Sequence, residues 1–145
     1  MNQSLEVLLY GMQFRRLLEK KLLYLEKEYG LCKIDVQILF HLYSAGESNT
    51  PRNIIDLNLF TKSHVSQSLN RMQHQGLITM QHDDKDRRFV HIFLNESADE
   101  IIVKVKNEYD QINSIVFSGI TQEEKAAFLS VAQKINANIR NVLDE

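Results

Sequence analysis

Residues 50–94 read TPRNIIDLNLFTKSHVSQSLNRMQHQGLITMQHDDKDRRFVHIFL, and this stretch decides the fold. Two short helices in tandem are predicted, because Thr50 and Thr61 are favourable N-caps and Pro51 suits a first helical position. Gly76 is a favourable helix end. After it, apolar residues recur at every second position, the period of a β-strand, on both sides of the polar segment 83–88. The stretch therefore predicts a helix-turn-helix followed by a β-hairpin.

The second helix of the tandem has one apolar face and one polar face. Val65, Leu69 and Met72 recur at i, i+4 and i+7, which predicts a single buried stripe. The remaining surface carries side chains that suit hydrogen bonds to base edges and phosphates in a DNA groove, although some of them would belong to a plain solvent face. These candidate contact residues are Thr61, Lys62, Ser63, His64, Ser66, Gln67, Asn70 and Arg71.

The tip of the hairpin supplies a second set of candidates. Lys85, Arg87 and Arg88 are cations, and guanidinium groups suit the narrow, negative minor groove of A·T-rich DNA. Asp86 is expected to orient an arginine through a bidentate pair. The alternative is a solvated hairpin tip whose salt bridges contribute little. In the helix before the turn, Arg52 is a candidate phosphate anchor.

Composition and charge exclude several classes of protein. The chain has 145 residues, a formal net charge of −2 and a single cysteine, so it is neither a protein that coats nucleic acid indiscriminately nor an intrachain disulfide scaffold. The sequence contains no nucleophile–base constellation, phosphate-binding loop or metal-ligand set, so we expect no enzymatic activity, no cofactor and no metal. No apolar run approaches the length of a membrane span, and we expect a cytoplasmic protein.

Long helices are predicted on both sides of the central stretch. One runs from about Gln3 to Tyr29, and a second from about Lys33 to Ser44. Beyond the hairpin, capping boxes at Ser97-x-x-Glu100 and Thr121-x-x-Glu124 each open a further long helix. The apolar stripes of the N- and C-terminal helices exceed what one chain can cover, so they are expected to pair with a second copy. Ile54, Ile55 and Leu57 are predicted to supply core contacts of the first helix of the tandem.

In this order of elements the chain resembles the MarR family of winged helix regulators. The most specific motifs are Thr61-Lys62-Ser63-His64-Val65-Ser66 with Gly76-Leu77-Ile78, followed by Asp83-Asp84-Lys85-Asp86-Arg87-Arg88. The family's recognition helix ends in Gly-Leu-Ile/Val, and its wing carries D-x-x-D-R-R. Gln67 departs from the basic residue that is frequent there, so base preference does not carry over.

The resemblance implies a mainly α fold of the α+β winged helix kind. Residues 1–145 would form a single domain, with the winged helix-turn-helix lobe at 31–95 and dimerisation helices at 1–30 and 96–145. The implied function is a DNA-binding transcriptional repressor, active as a homodimer on a pseudo-palindromic duplex. The alternative is a winged helix dimer that binds ligands or proteins without specific DNA binding.

The resemblance also implies an effector pocket for a small aromatic or phenolic compound, between the winged lobe and the dimerisation helices. Aromatic residues expected near that junction are Tyr10, Phe14, Tyr24, His41 and Tyr43, although aromatic residues at helical spacing also serve as plain core. Cys32 takes the place of the Thr or Ser that usually caps the second helix. A thiol at a helix N-terminus suits redox sensing, and the alternative is a small packed residue.

Overall fold

The computed structural model describes residues 3–46, 49–56 and 60–144. In the described residues, the elements are one β-hairpin and the helices that precede and follow it, which confirms the mainly α winged helix fold. In chain order they are α1 (Gln3–Glu6), a 3₁₀ turn (Val7–Tyr10), α2 (Gly11–Tyr29), α3 (Lys33–Ala45), α4 (Pro51–Ile55), α5 (Lys62–His74), β1 (Ile78–His82), β2 (Val90–Leu94), a second 3₁₀ turn (Glu96–Ala98), α6 (Asp99–Val116) and α7 (Gln122–Leu143).

The chain forms two compact units, Met1–Ile112 and Asn113–Glu145. The first contains the helix-turn-helix, the hairpin, α2 and most of α6. The second contains α7. Apolar residues of α2 and α6 join the core of the helix-turn-helix. The lobe boundaries at residues 30 and 95 stay a prediction.

The core of the first unit is built where the apolar faces of the helices meet the inner face of the hairpin. Val65, Leu69 and Met72 of α5 are all buried in it, as their spacing predicts. Ile54 of α4 is fully buried and Ile55 packs at the edge of the same core. Leu57 lies outside the described residues. Burial of this contiguous apolar surface is the main force that fixes α5 against its neighbours.

The helix starts follow the capping chemistry of the sequence. Thr50 Oγ1 accepts a hydrogen bond from the Asn53 amide at 3.2 Å, and Pro51 occupies the first turn of α4. Thr61 Oγ1 accepts from the His64 amide at 3.2 Å. Gly30, with φ of 65°, ends α2 in the left-handed conformation that glycine adopts without steric cost.

The two strands pair in antiparallel fashion, with Ile78 opposite Leu94 and His82 opposite Val90. Asn49 is also hydrogen-bonded to β2. Its carbonyl accepts from the Ile92 amide and its Nδ2 donates to the Ile92 carbonyl, both at 2.9 Å. The hairpin is thereby joined to the segment that precedes α4.

Two expectations for the helices are wrong. The first long helix is interrupted by the 3₁₀ turn Val7–Tyr10, because Gly11 is a weak helix former and none of the described side chains between residues 4 and 10 is buried. Ser97 and Glu100 form no capping box. Ser97 Oγ donates to the Gly76 carbonyl, and Glu100 accepts from the Tyr29 hydroxyl at 2.7 Å.

The second unit consists mainly of α7, and its predicted capping box is confirmed. Thr121 Oγ1 accepts from the Glu124 amide at 3.1 Å, while Glu124 Oε2 accepts from the Thr121 amide at 3.0 Å. None of the described side chains of α7 is buried. Most of its large apolar residues are exposed in the single chain, among them Phe128, Leu129, Val131, Ile139 and Val142.

Candidate nucleic-acid interface

The outer face of α5 presents an unbroken polar surface. Seven of the eight side chains that the sequence assigns to this face are exposed, and Gln67 Nε2 donates to Ser63 Oγ at 3.5 Å. The helix dipole places partial positive charge at its N-terminal end, where Lys62 adds a full charge. The face suits an anionic, hydrogen-bonding partner. Its exposed members are Thr61, Lys62, Ser63, His64, Ser66, Gln67 and Asn70.

Arg71, the eighth candidate on α5, has a partner inside the protein. Its Nη2 donates to Oδ1 of Asp35 on α3 at 2.9 Å. Asp35 is fully buried, and it also accepts hydrogen bonds from the hydroxyl of buried Ser68 and from the Cys32 amide. The carboxylate raises the pKa of the Arg71 guanidinium. These contacts join the middle of the polar helix to the start of α3.

Asp35 is the main residue that the sequence-based reasoning missed. It stands three residues after Cys32, and its Oδ2 accepts from the Cys32 amide at 2.9 Å, as the last residue of a capping box does. The spacing Cys32-x-x-Asp35 was therefore the available signal. Cysteine is a rare cap, which hid the pattern.

The turn at the tip of the hairpin is built on Asp83. Its Oδ1 accepts from the amides of Lys85 at 2.8 Å and Asp86 at 3.1 Å, and its Oδ2 lies 2.9 Å from Nε2 of His91. The hydrogen bond from His91, followed by the two amides, lowers the pKa of Asp83. His82 Nδ1 donates to the Arg87 carbonyl at 2.8 Å and closes the base of the turn.

Asp86 holds Arg88 by a bidentate pair. Arg88 Nε lies 3.0 Å from Asp86 Oδ1, and Nη2 lies 2.8 Å from Oδ2. The Arg88 amide also donates to Oδ1 at 3.1 Å. The pairing lowers the pKa of Asp86, while the Arg88 side chain remains 87% exposed. A guanidinium that is fixed at one edge and open to solvent at the other is available to a further anion.

The remaining predicted interface cations are exposed in different elements. Lys85 and Arg87 lie on the hairpin tip beside Arg88, and Arg52 lies in the first turn of α4. The hairpin tip thus brings three cations together. Arg52 lies on α4, the helix that precedes α5.

A cavity of about 690 Å³ lies among α2, α3, α4 and α6. Of the aromatic candidates, Phe14 and His41 line it. Tyr10 and Tyr43 are exposed to solvent, and the Tyr24 hydroxyl donates to Glu108 at 3.0 Å, so these three side chains do not line the cavity. The expected set coincides with this cavity only in part, because helical spacing does not tell which side of a helix faces a cavity.

Two features of the cavity wall suit a flat ligand with a polar group. Phe40 stacks on Tyr109 with ring centroids 3.8 Å apart, and both residues line the cavity. Within the described ranges, His41 Nε2 is buried and has no hydrogen-bond partner. A buried polar atom of this kind gains free energy when a ligand supplies its partner.

Cys32 is the N-cap of α3 and is exposed to solvent, so the alternative of a small packed residue is wrong. In residues 3–46, 49–56 and 60–144, no cluster of three or more histidine, cysteine or acidic side chains could hold a metal ion. Over the same ranges, no helix is both long and apolar enough to cross a membrane.

Comparison with known proteins connects this geometry to transcription factors. A family described as a winged helix DNA-binding domain matches residues 31–98. The HTH-type transcriptional regulator YwhA of Bacillus subtilis (strain 168) is 30% identical over 98 residues, which cover 68% of this chain and 70% of that protein.

Solved structures show the same fold over nearly the whole chain. The transcriptional regulator PA3341 has a TM-score of 0.82 at 25% identity, covering 97% of this chain and 99% of that one. A MarR family regulator from Listeria monocytogenes, complexed with a 26mer DNA, has a TM-score of 0.78 at 18% identity, covering 90% and 86%. The organohalide-sensing regulator RdhR-CbdbA1625, in its 2,4-dichlorophenol bound form, has a TM-score of 0.65 at 23% identity, covering 97% and 81%. The chain therefore belongs to the HTH-type transcriptional regulators, DNA-binding proteins that here take the winged helix fold of the MarR family.

Proposed function

We propose that this regulator is a homodimeric repressor that binds a pseudo-palindromic duplex. One observation carries the proposal. The wing, which is the hairpin of β1 and β2 with its connecting turn, holds Arg88 in an ion pair with Asp86 and leaves it open to solvent, and it directly follows α5 with its exposed polar face. Such a wing arginine matches the shape and negative potential of a minor groove, and such a helix matches the donors and acceptors of a major groove.

The proposed contacts divide into base readers and phosphate anchors. Gln67 and Asn70 are the base readers, because side-chain amides pair bidentately with adenine. Ser63, His64 and Ser66 hydrogen-bond at the groove edges, with Thr61 at the helix start. Lys62 and Arg52 bind phosphates, and Lys85, Arg87 and Arg88 enter or border the minor groove.

Arg71 has a different role in this proposal. Its guanidinium is bound to Asp35 through Nη2, and its side chain is only 39% exposed. We assign it to the fixing of α5 in place of the direct base contact that its position on the helix suggests.

The homodimer is supported by apolar surface that the single chain leaves uncovered. Leu5, Val7 and Met12 are exposed near the N-terminus, and the apolar residues of α7 are exposed near the C-terminus. A second copy that buries both sets would place two α5 helices about one turn of DNA apart, which requires a two-fold symmetric site.

An effector is the proposed signal for release of DNA. The cavity is large enough for a small aromatic compound, and His41 Nε2 offers an unpaired polar group to a phenol. The 2,4-dichlorophenol bound form of RdhR-CbdbA1625 provides a parallel in a protein of this fold. Such a ligand would relieve repression only if it binds the DNA-competent arrangement more weakly than the other arrangement.

The decisive experiment selects binding sites from a random duplex library and measures the affinity of the selected site against salt concentration. We expect a two-fold symmetric site and a steep loss of affinity with salt, since phosphate contacts release counterions. Arg88→Ala should weaken binding about tenfold or more. Lys27→Ala, which removes an exposed cation from α2, is the matched control and should bind normally.

Three results would contradict the proposal. The first is the absence of any enriched symmetric site. The second is an affinity that Arg88→Ala leaves unchanged. The third is a chain that binds small molecules or proteins but no duplex at low salt, which would favour a winged helix interaction module.

A further inference from the structure

The ring of His91, on β2, is held between two oxygen atoms. Its Nε2 lies 2.9 Å from Oδ2 of Asp83, and its Nδ1 lies 3.0 Å from Oδ1 of Asn49. Both distances are those of good hydrogen bonds. Each nitrogen of the ring therefore has a partner of its own.

Neither oxygen can act as the donor. The Asp83 carboxylate accepts only, and its pKa is lowered, so it is ionised at neutral pH. The Asn49 amide is fixed in orientation because its Nδ2 donates to the Ile92 carbonyl at 2.9 Å. Turning the amide over would place two carbonyl oxygens against each other.

A neutral imidazole carries a single N–H and satisfies one of these two acceptors, whereas an imidazolium carries two and satisfies both. From this geometry we propose that His91 is a positioning residue for the wing, and that it positions the wing arginines for DNA in its protonated form. The inference rests on the proposed DNA binding and adds to it a dependence on pH.

A continuous set of contacts connects His91 to Arg88. His91 binds Oδ2 of Asp83, and Oδ1 of the same carboxylate accepts from the amides of Lys85 and Asp86. Asp86 in turn holds the Arg88 guanidinium. Loss of the proton from His91 would remove one hydrogen bond of the ring, and with it either the anchor to Asp83 or the anchor to Asn49.

Among the groups around the ring, Asp83 is the charged one that is hydrogen-bonded to it. From β1 the ring faces Gln81, its cross-strand partner, and on its own strand it lies 6.5 Å from Phe93. In the wing, Arg88 is paired with Asp86.

Two helices also pack against β2. The charged groups of α3 are engaged elsewhere: Lys33 binds Glu19, and Asp35 binds Arg71. His41 of α3 lines the cavity. Arg52 of α4 and Asp56, the residue that follows α4, are both exposed to solvent.

The test measures affinity for the selected duplex from about pH 5.5 to 8.5, across the range in which histidine titrates. Wild-type affinity should fall about tenfold over this range, the effect expected for one charge-assisted hydrogen bond. His91→Gln should have the weaker affinity throughout and lack that part of the dependence. His91→Lys, which keeps the charge, should retain tight binding at the upper end. His74→Gln, at the exposed end of α5, is the matched control.

A second readout does not depend on DNA. In the isolated protein, NMR of the ring should show protons on both Nδ1 and Nε2 at low pH. Their loss should coincide with shifts of the Lys85 and Asp86 amides. A neutral ring across the whole range, or a His91→Gln profile identical to that of the wild type, would overturn the inference. Failure of the wild-type protein to bind duplex at any pH would instead overturn the proposed function, and the NMR titration would still decide the role of His91.

Discussion

Arg71 of α5 binds Asp35 of α3, with 2.9 Å between Nη2 and Oδ1, and the carboxylate has no exposed surface. The Ser68 hydroxyl donates to the same oxygen, so two consecutive turns of the polar helix are attached to one buried acid. The pair fixes the rotation of α5 about its axis. The exposed polar face of that helix therefore points in one direction.

This pairing predicts that substitutions of its two members lower the free energy of unfolding by different amounts. Arg71→Ala leaves a buried carboxylate with neutral donors only, and we expect it to lower the free energy of unfolding by about 3 kcal/mol. Asp35→Asn keeps the size of the side chain and leaves Arg71 able to reach solvent, so we expect a smaller loss of about 1–2 kcal/mol. Urea denaturation measures both. A smaller loss for Arg71→Ala than for Asp35→Asn would contradict this account.

The position of Asp35 also shows where prediction from sequence stops. The bounds of β1 and β2 could be predicted, because Ile78 and Met80 on one side of a strongly polar turn, and Val90, Ile92 and Leu94 on the other, recur at every second position. Aspartate, in contrast, is normally exposed, and the spacing Cys32-x-x-Asp35 indicates a capping contact but not the burial of Asp35. Arg71 stands at the margin between the polar and apolar faces of α5, so its spacing is compatible with either environment.

The cavity could not be predicted at the level of single residues for a similar reason. Phe14 and His41 were expected there and do line it, but Phe40 and Tyr109 were not. Their stacked pair joins α3 to α6 across a long separation in sequence. Periodicity shows which residues share a helix face, and only tertiary packing shows which faces enclose space.

We predict that the two kinds of DNA contact on α5 separate in a salt titration. Lys62→Ala should weaken binding to all duplexes alike and reduce the slope of log affinity against log salt by about 1, because one phosphate contact is lost. Gln67→Ala should leave the slope unchanged and relax base preference at one position of each half-site, at a cost of about 1–3 kcal/mol. Equal effects of Gln67→Ala on specific and random duplexes would rule out base reading by that residue.

We predict that the wing turn loses its stabilising carboxylates at a pH below the ordinary aspartate pKa of 3.8. The folded-state pKa values of Asp83 and Asp86 are lowered by their hydrogen bonds from His91 and Arg88. Their stabilising contribution is therefore present above the unfolded-state pKa and is lost as pH falls through the lowered folded-state values. Amide shifts of Lys85, followed from pH 5 to pH 2, report the transition.

A variant identifies which carboxylate is responsible for each part of that transition. Arg88→Ala should raise the midpoint sensed by the amide of residue 88, which donates to Asp86, and leave the midpoint sensed by Lys85 in place. A wild-type midpoint at or above 3.8 would contradict the pKa shifts.

We predict that the side of α7 that carries Ile139, which is exposed in the single chain, is buried between two copies. Ile139→Asp places a charge on that face and should convert the dimer to monomer, since burial of an unpaired carboxylate is costly. Light scattering gives the mass. Ser130→Asp is the matched control, because it adds the same charge about two and a half helical turns away, on the opposite side of α7. Dissociation by both variants, or by neither, would exclude this face as the interface.

We predict that 2,4-dichlorophenol, used as a probe, binds the cavity through His41. Binding to the folded state raises the melting temperature by mass action, and the phenol hydroxyl is expected to pair with the buried Nε2 atom. His41→Phe preserves the ring volume but removes that partner, so it should weaken binding about tenfold. Tyr43→Phe, on the same helix but outside the cavity, is the control.

The same probe tests whether the cavity and the DNA surface are coupled. If the ligand favours the arrangement that does not bind DNA, a saturating concentration lowers the affinity for the selected duplex, and the duplex lowers the affinity for the ligand by the same factor. His41→Phe should then require about ten times more ligand for the same release. Tight binding of the probe with no change in DNA affinity would show a ligand site without a regulatory role, because a ligand with equal affinity for both arrangements shifts neither.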